Sequence, residues 1–310
     1  MIGNNSKINN IPILIIIYKR YDLLKKLINQ LRLIKPSFIY IAADGPRKNI
    51  CQDIQDCDKT RAVVAKEIDW TCKLYTNYSN KNLGCRERVS SAISWFFETV
   101  DFGIIMEEDC IPSEYFFQFV NYCRNRVNEN IYVVSGNHFG NYCRNKIIIN
   151  KYPWIWGWAT WKSKWNDYDN KMLNYENEVD KILLNMTSNV REYYYWKNNF
   201  DLVYNESVDS WYYVWLYNIW KNNGRSVTPP SNLVINIGFD GRASHTSNES
   251  DNLSGMRIEE MDSIDKYEIG PCKKYDEYIF RNNYQERGGV GISKFEKIKY
   301  YVKKNKKNIL

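Results

Sequence analysis

The chain has no apolar run long enough to cross a bilayer. Its longest run, Ile11 to Ile17, covers seven residues, whereas a membrane-spanning helix needs about 20. No secretory signal with a charged start, a long apolar centre and a small-residue cleavage site precedes this run. We therefore expect a cytoplasmic protein.

The sequence also contains no CxxC pair, although it has eight cysteines. Paired spacings of that kind mark metal sites and redox motifs, and dense cysteines mark small secreted scaffolds. Because the eight are scattered through a large chain, we interpret them as reduced thiols. They are Cys51, Cys57, Cys72, Cys85, Cys110, Cys123, Cys143 and Cys272.

Disorder is excluded by the composition, since 44% of the residues are hydrophobic and 25% are charged. The aromatic content is high, with 25 Tyr, 12 Phe and 11 Trp. An AT-rich genome explains abundant tyrosine but not the tryptophans. Aromatic rings are surfaces on which proteins bind the apolar faces of sugars, so a carbohydrate ligand is one interpretation.

The first half alternates strand-like and helix-like segments, as βαβ units do. Pro12 to Ile17 is a continuous apolar run typical of a strand buried on both faces, and Tyr21 to Ile34 carries leucines at helical spacing. Further strands are predicted at Phe38 to Ala43, Lys73 to Thr76, Gly103 to Met106 and Ile131 to Val134. Intervening helices are predicted from Asp58 to Ile68, Arg86 to Thr99 and after Ser113, followed by Glu176 to Met186 and Asp209 to Asn222. We predict an α/β fold with a mixed, mostly parallel sheet flanked by helices.

Three carboxylates, Glu107, Glu108 and Asp109, directly follow a short apolar strand and precede Pro112. Open α/β sheets bind ligands at the carboxyl ends of their strands. Adjacent carboxylates repel one another unless a cation lies between them, and hard oxygen ligands suit Mn²⁺ or Mg²⁺. A solvated acidic turn is the alternative interpretation.

The ends of the other strands place more polar groups at the same edge. Tyr18, Lys19 and Arg20 end the first strand, and Asp44 ends the second. Arginine can bind a diphosphate, and aspartate can accept a hydrogen bond from a base or a ribose. The segment Asn82 to Arg86 adds the N–H groups and the positive charge of a helix start.

Tryptophans surround a glycine in the segment PWIWGWATWK, from Pro153 to Lys162. Spacing of two places Trp154, Trp156 and Trp158 on one face of an extended segment, and Gly157 permits close approach of a ligand. This pattern predicts either a platform for a sugar ring or a buried face of a sheet.

Histidine is scarce, with two residues in the chain. His245 lies in a polar loop and is either a metal or diphosphate ligand or a surface residue. Arg242 beside it could neutralise a leaving diphosphate. We interpret His138 as structural.

The last residues form a basic helix with an apolar stripe at Phe295, Ile298, Tyr301 and Val302. It either rests on anionic lipid or packs its stripe on the domain. Nucleic acid is a weaker alternative, because no binding motif accompanies the charge.

Taken in order, these segments resemble the metal-dependent nucleotide-sugar glycosyltransferases of the GT-A fold. The similarity is to bacterial relatives of the N-acetylglucosaminyltransferase that acts on terminal mannose. It rests on PILIIIYKR, ADGPR from Ala43, NLGC, IIMEEDCIP, PWIWGWATWK, the segment from Asp209 to Gly224 and the segment from Ser231 to Thr246.

The resemblance implies roles for the residues that match. Asp109 would bind the metal directly, with Glu107 and Glu108 beside it in a triplet that departs from a literal DxD. Asp44 would hold the nucleoside. Asp209 would deprotonate the acceptor hydroxyl in an inverting transfer, although an aspartate before an apolar helix is also an ordinary N-cap. Glu206, one turn upstream, is an alternative base.

The complete assignment follows from these roles. The residues expected to bind the sugar donor are Tyr18, Arg20, Asp44, Arg86, Glu107, Glu108 and Arg242. The expected metal ligands are Asp109 and His245, and the expected base is Asp209. The residues expected to bind the acceptor sugar are Trp154, Trp156, Gly157, Trp158 and Trp211. We expect residues 1–136 to bind the nucleotide-sugar, residues 137–260 to bind the acceptor, and residues 261–310 to form an extension with the basic helix.

The predicted function is transfer of a sugar from a nucleoside diphosphate, UDP being favoured, to a hydroxyl of a bacterial surface glycan or lipid-linked oligosaccharide. Two alternatives stay open. A sugar nucleotidyltransferase would want a glycine-rich loop after the first strand, and Tyr18 to Asp22 contains no glycine. A non-catalytic carbohydrate-binding protein would use the tryptophans alone.

Overall fold

A computed structural model describes residues 8–241, 253–285 and 291–307 of the chain. The first half alternates strands and helices in the order β1 Ile13–Ile17, α1 Tyr21–Ile34, β2 Phe38–Ala43, α2 Cys51–Glu67, β3 Lys73–Tyr78, α3 Cys85–Thr99, β4 Phe102–Glu107, β5 Cys110–Pro112, α4 Glu114–Cys123 and β6 Ile131–Ser135. The remaining elements are β7 Lys146–Asn150, β8 Trp158–Trp161, α5 Lys162–Trp165, α6 Tyr175–Met186, α7 Val190–Tyr204, α8 Trp211–Lys221, β9 Arg225–Thr228, β10 Val234–Asn236, β11 Glu268–Pro271, α9 Lys273–Ile279 and α10 Lys294–Lys307.

In the described part of the chain, nine strands form one sheet in the order β11-β7-β9-β6-β8-β4-β1-β2-β3. The strands β4, β1, β2 and β3 are mutually parallel, whereas β8 runs antiparallel to both β4 and β6. A second sheet pairs β10 with β5. The prediction of an α/β fold with a mixed, mostly parallel sheet flanked by helices is confirmed.

Strand β1 shows why the sheet lies at the centre. All five of its side chains are buried, and successive residues of a strand point to opposite faces. Leu14 and Ile16 pack with the core beside α3 and α8, while Ile13, Ile15 and Ile17 pack with the core beside α1 and α4. Burial of each such side chain contributes about 1.5 to 3 kcal/mol. The run therefore forms a strand covered on both faces.

Helix α2 begins at Cys51, so the predicted start at Asp58 is wrong. The early turns were missed because Asp53 is a charged residue that the structure buries. Helix α7 was also missed, although Asn189 accepts hydrogen bonds from the backbone N–H groups of Arg191 and Glu192 as its N-cap.

The segment after residue 260 joins the main sheet. Strand β11 pairs in parallel with β7 as an edge strand. This pairing brings together Cys143 and Cys272, which form a disulfide across 129 positions of sequence. The expectation that all eight cysteines are reduced is therefore wrong for these two, because sequence spacing does not register contacts between distant segments. Disulfides are uncommon in cytosolic proteins, so this pair is at odds with the expected location.

Across the described ranges, no helix is both long enough and apolar enough to cross a membrane.

Candidate functional site

The carboxyl ends of β4, β1 and β2 lie side by side, because these three strands are adjacent and parallel. Glu107 ends β4, Tyr18 follows β1, and Asp44 follows β2. The three carboxylates Glu107, Glu108 and Asp109 form what we call the acidic cluster. The structure places this cluster, the polar residues that follow β1 and Asp44 along one edge of the sheet. Ligands of open α/β sheets bind at such an edge.

Arg20 is the cation of the acidic cluster. Its Nε donates to Glu108 Oε1 at 2.8 Å, and its NH1 lies 2.9 Å from Asp109 Oδ2. The side chain of Arg20 is only 12% exposed. NH1 nevertheless makes no well-aligned hydrogen bond within the described residues. Arg20 therefore pairs with two carboxylates of the cluster.

Glu107 lacks such a partner in the described part of the chain. Burial, together with repulsion from Asp109 and Glu108, raises the pKa of Glu107 to about 8, and Arg20 opposes this rise. Burial also raises the pKa of Glu108, with Arg20 again opposing. The three carboxylates thus share one cation, and without a further cation Glu107 binds a proton near neutral pH.

The second sheet, formed by β5 and β10 and called the small sheet below, lies against this cluster. Because β10 pairs with β5, the backbone N–H of Ile237 donates to the carbonyl of Asp109 at 2.8 Å. At Gly238, an added Cβ would lie 2.2 Å from Asp109 Oδ2 and 2.7 Å from Arg20 NH1. Only glycine fits there without displacing these groups. Sequence reasoning missed Gly238, which stands in the motif-like run INIGFDG.

Asp44 is buried and holds two loops together. Its carboxylate accepts from the backbone N–H of Gly45 at 2.8 Å, from the backbone N–H of Leu83 at 3.0 Å and from Asn82 Nδ2 at 2.9 Å. Burial raises the pKa of Asp44, and the backbone N–H groups of Leu83 and Gly45 oppose the rise. Its carboxylate is thus engaged in fixing the loop after β3 against the end of β2.

Tyr18 belongs to a second polar cluster that the sequence did not reveal. Its hydroxyl donates to Asp53 Oδ2 at 2.7 Å, Lys19 Nζ donates to Oδ1 at 2.9 Å, and Arg47 Nε donates to Oδ2 at 2.6 Å. The hydrogen bond from Arg47, together with those from Lys19 and Tyr18, holds the pKa of Asp53 far below its usual range. Burial acts in the opposite direction and is outweighed. The signal for this cluster was Arg47, which follows Asp44 in the same turn.

Asp209 accepts hydrogen bonds at the N-terminus of α3. The backbone N–H of Cys85 donates to Oδ2 at 2.9 Å, and that of Arg86 donates to Oδ1 at 3.0 Å. Asp209 is exposed to solvent. It therefore caps a helix 124 positions away in sequence and not the helix that it precedes, for which Ser210 is the N-cap residue. Glu206, the alternative base, lies exposed in the turn after α7 with a φ of 58°.

The guanidinium of Arg86 is directed to the other half of the chain. It donates to Asn170 Oδ1 at 2.8 Å and to the carbonyl of Val203 at 2.8 Å. A diphosphate could bind this side chain only after these bonds break. The structure brings Arg86 together with the loop before α6 and the end of α7, and not with the acidic cluster.

The tryptophans do not form one exposed platform. Trp158 is 1% exposed and stacks on Trp211, which is 3% exposed, at a centroid distance of 5.8 Å. Trp154 is 9% exposed and lies 3.9 Å from the ring of Phe139. The predicted sugar platform is corrected on this point, because these three rings pack in the core. Trp156 remains partly exposed.

Gly157 has a φ of 80°, which favours glycine, and an added Cβ would lie 3.0 Å from Val234. Its carbonyl accepts from the backbone N–H of Gly136 at 2.9 Å. The close approach at Gly157 is thus to the small sheet.

His138 is buried, as a structural histidine should be. Its Nδ1 lies 2.7 Å from the carbonyl of Pro229. Burial lowers the pKa of His138 to about 4. His245 and Arg242, the two loop residues assigned to metal and diphosphate, lie outside the described residues.

The acidic cluster offers suitable atoms for Mn²⁺ or Mg²⁺. Such ions prefer carboxylate oxygens. Within the described residues, Asp109 Oδ1 accepts a hydrogen bond only from the weak S–H donor of Cys110, at 3.5 Å. Glu107 supplies a second uncompensated carboxylate. In residues 8–241, 253–285 and 291–307, however, no three His, Cys, Asp or Glu side chains are grouped to hold a metal ion. Carboxylate oxygens are nevertheless the donor type that such ions prefer.

No protein-family model matches the chain, and no curated protein matches it.

Proposed function

We propose that this protein is a metal-dependent, inverting glycosyltransferase of the GT-A fold. It moves a sugar from a nucleoside diphosphate, UDP being favoured, to a hydroxyl of a bacterial surface glycan or lipid-linked oligosaccharide. The observation that carries the proposal is the acidic cluster at the carboxyl end of β4. Arg20 of the neighbouring strand pairs with two of its carboxylates and leaves Glu107 uncompensated.

The donor would bind along this edge of the sheet. The guanidinium of Arg20 is the proposed contact for a diphosphate oxygen, since guanidinium groups bind phosphates strongly. Asp109 and Glu107 would hold Mn²⁺ or Mg²⁺, which when bound stabilises the negative charge of the leaving diphosphate. Asp44 would contribute to the nucleoside pocket by fixing the loop of Asn82 and Leu83.

Asp209 remains the proposed base. Two backbone N–H groups of α3 fix its carboxylate, and its exposure leaves the outward lone pairs of its oxygens open to an acceptor hydroxyl. An inverting transfer needs one such carboxylate and forms no covalent intermediate. The acceptor would approach from this exposed side, with Trp156 the proposed aromatic contact that is still accessible.

Calorimetric titration with UDP and GDP, each with and without Mn²⁺, tests the donor site. We expect one nucleotide to bind and its binding to require the metal. Asp109→Ala should abolish this metal-dependent binding, whereas the control Glu129→Ala, at an exposed carboxylate, should retain it. Full binding by Asp109→Ala, or no nucleotide binding by the unmodified chain, would overturn the proposal.

Transfer is tested separately from donor binding. Asp209→Asn should lose transfer to a sugar acceptor while it still binds nucleotide with metal. If transfer persists, the base lies elsewhere, and Glu206→Gln becomes the next variant.

The two alternatives make different predictions. A carbohydrate-binding protein should bind glycans without metal or nucleotide, and the burial of Trp154, Trp158 and Trp211 removes most of the surface that it would use. A sugar nucleotidyltransferase should release pyrophosphate from a nucleoside triphosphate and a sugar phosphate, which the transferase should not.

A further inference from the structure

Helix α10 packs on the protein through one narrow side. Tyr300 is 2% exposed and lies against the ring of Tyr193. Lys303 forms an ion pair with Asp180 of α6. The hydroxyl of Tyr194 donates to the carbonyl of Glu296 at 2.9 Å. These contacts fix which side of the helix faces the protein.

The apolar stripe of α10 faces away from the protein. Phe295 is 74% exposed, Ile298 62%, Tyr301 55% and Val302 50%. At 100° per residue these four positions fall within about 120° of one another around the helix. The alternative that the stripe packs on the domain is therefore wrong. The chain leaves two turns of apolar side chains in contact with solvent.

Lysines border this stripe on both sides. Lys297 and Lys299 are exposed and lie about 100° to either side of Ile298 around the helix. Lys294 is also exposed, at the start of the helix. The acid of this helix, Glu296, lies toward the protein, where its carboxylate accepts from Ser293. The outward side of α10 is thus apolar at its centre and positive at its borders.

We propose that α10 docks this protein on the surface of an anionic bilayer, with its apolar stripe in the headgroup region. An amphipathic helix of this kind lies in the plane of the interface, and lysines near the surface attract anionic lipids. A second copy of the chain is a poorer occupant, since symmetric pairing of this face would bring lysines against lysines. The inference rests on the surface of α10 alone and is independent of the proposed transferase activity.

Vesicle co-sedimentation of the full chain tests the docking surface. Vesicles of phosphatidylcholine with phosphatidylglycerol should bind the protein, vesicles of phosphatidylcholine alone should bind it at least tenfold more weakly, and high salt should release it. Replacing both Lys297 and Lys299 by Gln should weaken binding about 25-fold, since each lysine is worth about fivefold. The double variant Phe295→Ser/Ile298→Ser should weaken it at least tenfold. The control Leu33→Ser, at a residue of α1 that is also 74% exposed, should bind as the unmodified chain does.

Three outcomes would overturn the inference. The first is no binding to anionic vesicles by a protein whose circular dichroism shows it folded. The second is equal loss of binding in Leu33→Ser and in the Phe295→Ser/Ile298→Ser variant. The third is a dimer in sedimentation velocity that Phe295→Ser dissociates, which would assign the face to a second copy of the chain.

Discussion

Replacing Arg20 by methionine keeps the length of the side chain and removes the cation of the acidic cluster. Glu108 and Asp109, whose side chains are 4% and 7% exposed, would then be buried without the cation that pairs with them. Removing one partner of a buried ion pair costs about 3 to 5 kcal/mol. We expect the free energy of unfolding of Arg20→Met to fall by about that amount.

Adding Glu108→Gln to Arg20→Met, as in a double-mutant cycle, should recover much of the unfolding free energy that Arg20→Met loses. Glu108→Gln alone keeps an oxygen that can accept from Arg20 Nε, so its cost is about 1 to 2 kcal/mol. In the double variant Arg20→Met/Glu108→Gln, one buried charge fewer is left unpaired. The double variant should therefore be less destabilised than the sum of the two single variants by about 2 kcal/mol.

Urea unfolding at pH 7 in EDTA, followed by tryptophan fluorescence, measures these differences. The matched control is Lys25→Met on α1, whose Nζ lies 3.2 Å from Glu67 Oε1 but whose side chain is 54% exposed. Exposed ion pairs contribute about 0 to 1 kcal/mol. If Arg20→Met and Lys25→Met cost the same, Arg20 does not hold the acidic cluster and the reasoning about its charge is refuted.

Three further predictions concern single residues. Gly238→Ala should weaken metal-dependent nucleotide binding at least tenfold, because its Cβ would displace the carboxylate of Asp109. In the control Gly255→Ala the added Cβ meets no atom within 4 Å, so this variant should bind nucleotide normally. Equal binding by both variants would contradict the site. Asp209→Asn should lower the free energy of unfolding by about 1 kcal/mol, because an NH₂ group would replace one of the two oxygens that accept from α3 and the negative charge at the helix N-terminus would be lost. Unchanged urea unfolding would exclude the cap. His138 has a folded pKa of about 4 against 6.5 unfolded, so the unfolded chain binds more protons between these values and stability should fall by about 3 kcal/mol as the pH drops through that window. His138→Gln should lose this part of the pH dependence in urea titrations, and an unchanged slope would contradict it.

Strands β1 to β4 and β6 and helix α1 could be predicted from sequence because local patterns determine them. The strands β7, β9 and β11 of the same sheet were not predicted. Helix α1 spans Tyr21–Ile34, the predicted range, and buries the leucines at helical spacing. The start of α2 could not be predicted in this way. Asp53 is buried because Tyr18, Lys19 and Arg47 surround it. No local pattern reports Tyr18 and Lys19, which lie 35 and 34 positions away.

In the candidate site, too, local patterns predicted some features, whereas others depend on contacts between distant segments. That the acidic cluster and Arg20 share an edge follows from strand order, which βαβ alternation makes predictable. Burial of Trp158 against Trp211 depends on how α8 packs on β8, and spacing of two fits a core face as well as a ligand face. Gly238 lies beside Asp109 only because β10 pairs with β5.

The segment from Asn82 to Arg86 contacts two carboxylates, that of Asp44, which we assign to the nucleoside pocket, and that of Asp209, the proposed base. Asn82 and Leu83 donate to Asp44, and the backbone N–H groups of Cys85 and Arg86 donate to Asp209. Sequence reasoning offered this helix start as a phosphate site, yet Asp209 already accepts from its N–H groups, so a phosphate there would have to displace a carboxylate. The diphosphate should therefore approach from β1, and the five-residue segment should transmit any shift of the nucleoside loop to the proposed base.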